Sequence, residues 1–159
     1  MTNKQREFLH LAVIEKLKYN DIAEKLGLAR EVFAQWWDEL KTEREYLTKI
    51  RDKWQAKCPA IEFKEFMEWF ENVDKKCFYC DITENEISEL WEKFPNLTKR
   101  NRGKHLEIER LEPNKPYNIT TNLVLSCYWC NNAKTDTFTK SEFIEIGKVI
   151  KKIWKERLK

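Results

Sequence analysis

The sequence predicts an α+β fold, predominantly α, with a helix-turn-helix bundle at the N-terminus and a zinc-stapled module with flanking helices after it. Three observations carry this. Apolar side chains recur at helical spacing through most of residues 4–57. Two C-x-x-C pairs, Cys77/Cys80 and Cys127/Cys130, bracket a folded insert. Amphipathic segments with helix-capping signals lie on either side of that insert.

In the first helix Phe8, Leu11, Ala12, Ile14 and Leu17 share a face. Asn20 or Asp21 is placed to cap a short second helix, Ile22 to Leu26, which Gly27 stops by taking positive φ. A third helix follows from Ala29 to Leu40, with Phe33, Trp37 and Leu40 inward. The run from Asp21 to Trp36 looks like a helix-turn-helix of the kind found in transcription factors and resolvases. Its Arg30 and Gln35 are candidates for facing a DNA groove, although Glu31 and Asp38 would repel phosphate. Asp38 to Lys57 continues as a charged helix whose alternating signs suit i,i+4 pairs. Pro59 disfavours helical geometry at Cys58, so the domains divide there into 1–57 and 58–159.

Phe63, Phe66, Met67 and Phe70 form one side of a helix that packs a core. Thr83 and Glu86 have capping-box spacing and open a helix that Pro95 ends. Lys99, Arg100, Arg102 and Lys104 form the most basic run of the chain, read either as a mobile solvated loop or as a phosphate contact. Thr139 and Glu142 open the last helix, with Phe143, Ile146, Val149, Ile150 and Ile153 as its apolar face.

Two C-x-x-C pairs around a folded insert are the usual ligand set of structural zinc, with each pair supplying two thiolates to one tetrahedral ion. Buried reduced cysteines are the alternative. Cys58 is left over, expected as a half-buried free thiol.

Between the knuckles stand His105-Leu-Glu-Ile-Glu-Arg-Leu-Glu-Pro113, Tyr117, Asn122-Leu-Val-Leu-Ser-Cys127 and Cys130-Asn-Asn-Ala-Lys134. Taken together these segments resemble the zinc-stapled HNH endonucleases of the ββα-metal group. The resemblance implies a first strand over Leu106 to Leu111, with Glu109-Arg110 where that family carries Asp-His. It implies Asn122 as a brace between the strands, and Asn131 with Lys134 at the start of the following helix. Glu109 and Asn131 become the candidate ligands of a catalytic Mg²⁺ or Mn²⁺, because both offer hard oxygen donors.

Arg110 departs from the family pattern. A guanidinium stays protonated and cannot act as an ordinary general base, so it is expected to bind phosphate. His105 and Tyr117 are the candidates for the base. Lys99, Arg100, Arg102, Lys104 and Lys134 are the expected nucleic-acid contacts of the module.

A net charge of +3, with 36% charged residues, permits nucleic-acid binding through local patches without demanding it. No apolar leader or membrane span is legible, and thiols without a disulfide framework suit a reducing compartment; the expected location is cytoplasmic. Two functions remain open. One is a metal-dependent DNA endonuclease, with the helix-turn-helix assisting target binding. The other is a zinc-scaffold protein without the chemistry, acting as a DNA-bound regulator or docking a protein partner.

Overall fold

A computed structural model describes residues 1–159, and the chain divides into two compact units, Met1–Ala56 and Lys57–Lys159. The fold is α+β and predominantly α, with one two-stranded sheet. No helix is long and apolar enough to cross a membrane.

In the first unit, α1 (Asn3–Leu9) is opened by a Thr2/Gln5 capping box and passes into a wider π-type turn, His10–Ile14. Next come α2 (Tyr19–Leu26) and α3 (Glu31–Glu39). The second helix starts earlier than the cap residues Asn20 and Asp21 suggest. Lys18 is its N-cap, with no side-chain bond, and Asp21 falls in the first turn. Gly27 ends it in the left-handed region, φ 60°, and returns its N–H to Ala23 O. Phe8, Ile22, Leu26 and Phe33 are buried in one core, with the Phe8 and Phe33 rings stacked at 5.1 Å. Leu40 leaves helical geometry, so the expected continuous helix breaks there before α4 (Lys41–Lys57) begins.

In the second unit, α5 (Phe63–Asn72) buries Phe63, Phe66 and Phe70, and α6 (Glu84–Lys93) is opened by the Thr83/Glu86 box. Strands β1 (Glu107–Arg110) and β2 (Leu123–Ser126) pair antiparallel, with Glu109 opposite Val124 and Arg110 opposite Leu123. β2 runs straight into α7 (Tyr128–Lys134), and α8 (Lys140–Leu158) closes the unit.

The buried line of α8 differs from the apolar stripe of its sequence. Phe143, Gly147 and Trp154 are buried, whereas Val149 and Ile153 are exposed. Gly147 explains the rotation. A Cβ there would lie 2.4 Å from the carbonyl oxygen of Tyr79, so only glycine lets the helix sit this close to the first cysteine knuckle. Farther along, Trp154 meets Trp129 of the second knuckle, ring centroids 4.6 Å apart.

Candidate functional site

Two knuckles meet at the end of the sheet. Cys77 accepts the Asp81 N–H on its backbone carbonyl and donates its own N–H to Ile82 O, which folds the first knuckle tightly; Asp81 takes φ 59° inside it. Phe78 N–H bonds Leu125 O, tying that knuckle to β2. Cys127 caps α7, its sulfur accepting from Cys130 N–H. All four cysteines are buried and their sulfurs lie within 4.8 Å of one another.

The Cys80 and Cys127 sulfurs are 3.7 Å apart, too far for a disulfide. That separation is close to the edge of a tetrahedron with Zn–S bonds of about 2.3 Å. Hydrogen bonds from Cys127, Cys130 and Cys80 hold the Cys77 thiol far below its usual range, while donation to Cys127, Cys77 and Cys80 pushes Cys130 far above it. One thiolate is thus stabilised at the expense of its neighbours. Ionising all four needs a cation between them. Four clustered cysteines of this geometry can hold a zinc ion. Cys58 is separate and fully buried rather than half-buried, and burial pushes its thiol up to about 11.

The second constellation lies where α7 crosses β1. Glu107 and Glu109 share a strand face by alternation, and each meets a side chain of α7. Asn131 Nδ2 donates to Glu107 Oε2 at 2.6 Å. Lys134 Nζ lies 3.5 Å from Glu109 Oε1 and donates to Arg110 O at 3.2 Å. The sequence places Lys134 among the nucleic-acid contacts, yet it is fully buried with its ammonium taken by protein oxygens. Glu109 is 6% exposed, and burial raises its carboxyl pKa against the opposing Lys134 ammonium.

Arg110 is pinned by three groups. Its guanidinium donates to Lys115 O and to Asp136 Oδ1, both at 3.2 Å, and lies over the Tyr117 ring at 4.6 Å from the centroid. Its Nε is buried without a partner. Burial, with the Glu109 charge second, raises the Tyr117 pKa, and Arg110 opposes the rise. His105 is exposed and precedes the strand. The structure therefore gathers Glu109, Arg110 and Tyr117, whereas His105 makes no bond to any of them.

Asn122 is buried and grips the loop between the strands. Its Oδ1 accepts from Glu112 N–H at 2.9 Å, and its Nδ2 donates to Glu112 O at 3.3 Å. Glu107 and Asp136 were missed by sequence reasoning. Strand alternation is the signal that could have found Glu107; Asp136 has none beyond its closeness to Lys134 in the chain.

For a hard divalent ion, Glu109 and Asn131 fit by donor chemistry, since both offer oxygen and Glu107 already holds the amide nitrogen of Asn131. The basic run is tied back to the fold by hydrogen bonds at both ends. Thr98 Oγ1 both donates to Arg102 O and accepts from Arg102 N–H, and Trp91 Nε1 donates to Gly103 O. Gly103 (φ 87°) touches Tyr128 so closely that a Cβ would lie 2.9 Å from it. Lys99, Arg100, Arg102 and Lys104 are left exposed around this anchor. In the first unit, Arg30 and Gln35 are exposed at the start and middle of α3, and Gln35 Nε2 donates to Glu39 at 2.7 Å.

No family model and no curated protein matches the chain. Among solved structures it is similar to the rare-cutting HNH restriction endonuclease PacI, with a TM-score of 0.52 and 23% identity. The alignment covers 76% of this chain and 78% of that one. The fold is HNH-like. The likeness is one of fold, and the chain adds to it a four-cysteine cluster able to hold zinc.

Proposed function

We propose that the chain is a metal-dependent endonuclease that hydrolyses DNA phosphodiester bonds, with the helix-turn-helix unit assisting target binding. The observation that carries this reading is Arg110 stacked on Tyr117 beside the buried Glu109, on an HNH-like fold. Glu109 and Asn131 are the residues that would hold Mg²⁺ or Mn²⁺. Such an ion supplies Lewis-acid neutralisation of the scissile phosphate and the leaving oxygen.

Arg110 supplies fixed positive charge to the phosphate in place of a base, a role its planar donors suit. Tyr117 is the better placed group for the proton. Its raised pKa makes a phenolate costly, and the guanidinium over its ring offsets part of that cost. Asn122 keeps the loop that carries Tyr117 closed through its two bonds to Glu112. The exposed basic loop from Lys99 to Lys104 fits backbone positioning rather than base reading.

The test is cleavage of supercoiled, linear duplex, single-stranded and branched DNA in Mg²⁺ and in Mn²⁺. Glu109→Ala should abolish metal-dependent cutting, and Arg110→Ala should slow it about a hundredfold or more. Tyr117→Phe should impair turnover, while His105→Ala should leave it intact. If the unmodified protein binds all four substrates without metal and cuts none, the reading fails and a binding role takes its place. For the N-terminal unit, Arg30→Ala and Gln35→Ala should each weaken duplex binding in a fluorescence-anisotropy titration. Unchanged affinity in both would leave α3 a structural helix.

A further inference from the structure

We infer that Lys134 makes binding of a divalent cation at Glu109 conditional on a bound phosphodiester, so that ion and DNA enter the site together. This rests on the nuclease reading and concerns how its site is loaded. Lys134 is fully buried, 3.5 Å from Glu109 Oε1 and hydrogen-bonded to Arg110 O. A buried ammonium held at two points has no low-cost way out, because leaving either oxygen abandons a desolvated charge. Any ion on Glu109 therefore sits beside a resident cation, with the Arg110 guanidinium on the next residue.

The local charges decide the sign of the coupling. Glu109 pairs with Lys134, and Glu107 on the same strand face holds Asn131, whereas Arg110 is balanced separately by the largely exposed Asp136. Two carboxylates against one ammonium leave one negative charge at the crossing. A divalent ion alone overshoots to positive, and one phosphodiester restores neutrality. In a half-buried site, where charges are poorly screened, the neutral assembly is the favoured one. By linkage, whatever factor DNA adds to the ion's affinity, the ion adds to that of DNA.

The experiment uses full-length, zinc-loaded protein and Mn²⁺, which does not displace zinc from thiolates. Free Mn²⁺ is read by electron paramagnetic resonance, and affinity for a labelled duplex by anisotropy with and without Mn²⁺. Mn²⁺ should tighten duplex binding by the unmodified protein about tenfold or more. Lys134→Met, which keeps length and removes charge, should bind Mn²⁺ alone about tenfold more tightly and lose most of that coupling. Zinc content checks that the variant is folded, and the measurement on the unmodified chain stands without it. Duplex affinity indifferent to Mn²⁺ overturns the inference, as does equal Mn²⁺ affinity in a folded Lys134→Met. Cleavage is followed in the same samples. Cutting without coupling sinks this inference and spares the nuclease, whereas coupling without cutting supports the inference and sinks the nuclease.

Discussion

Cys58 is a thiol whose surroundings decide its chemistry. It is fully buried, and burial pushes its pKa from 9.0 to about 11. The folded value lies above the unfolded one, so the neutral thiol adds stability in full below pH 9, and that contribution is lost as pH rises through 11. Thermal midpoints should therefore fall more steeply between pH 9 and 11 for the unmodified chain than for Cys58→Ala; parallel curves would disprove it. That a fifth cysteine stood outside the zinc pattern was legible in the sequence. Its burial was not, because nothing local records which side chains cover it. Lys134 teaches the same lesson. A lysine three residues past Asn131 reads as a phosphate contact, and only the crossing of α7 over β1 turns it inward onto Glu109.

Among the elements, α8 shows where periodicity misleads. Its capping box at Thr139 and Glu142 and its extent were legible, since both are local features. The buried line was not. Apolar spacing favours a stripe through Val149 and Ile153, but close approach to the Tyr79 carbonyl selects the line through Gly147. Gly147→Ala separates the two effects. Helix propensity alone would stabilise the chain by about 1 kcal/mol. The clash is with backbone, which cannot rotate away, and overpacking of this kind costs about 1–3 kcal/mol or more. The variant should lose stability in a denaturant melt of the second unit; a gain would show that α8 can slide without penalty. Gly27 is the counterpart, where a methyl group would meet nothing within 4 Å but φ stands at +60°. Gly27→Ala should cost only the conformational penalty of about 1 kcal/mol.

At the scale of the molecule, the division into Met1–Ala56 and Lys57–Lys159 separates a unit held by an apolar core from one that contains a cysteine cluster. Metal analysis should give one zinc per chain. Stripping it with a chelator should unfold the second unit and spare the helices of the first, leaving a fraction of the far-ultraviolet circular dichroism and a protease-resistant N-terminal fragment. Loss of all helical signal at once would contradict this, as would folded protein free of zinc. The α+β class and the cysteine pattern were legible because each rests on spacing along the chain. The pairing of Glu107 with Asn131, and of Arg110 with Asp136, depends on how α7 lies over β1, which spacing does not encode.

The contact between Trp129 and Trp154 has an optical consequence. Trp129 stands between the cysteines of the second knuckle, and its indole lies 4.6 Å from that of Trp154 on α8. Two indoles that close and inclined at 53° couple their electronic transitions, giving a near-ultraviolet ellipticity that depends on their mutual orientation. Loosening the knuckle moves one ring relative to the other and alters that band, while Trp36, Trp37 and Trp54 of the first unit, whose helices are spared, contribute a constant background. The staple thus carries its own chromophore pair, and its assembly can be followed spectroscopically without a label.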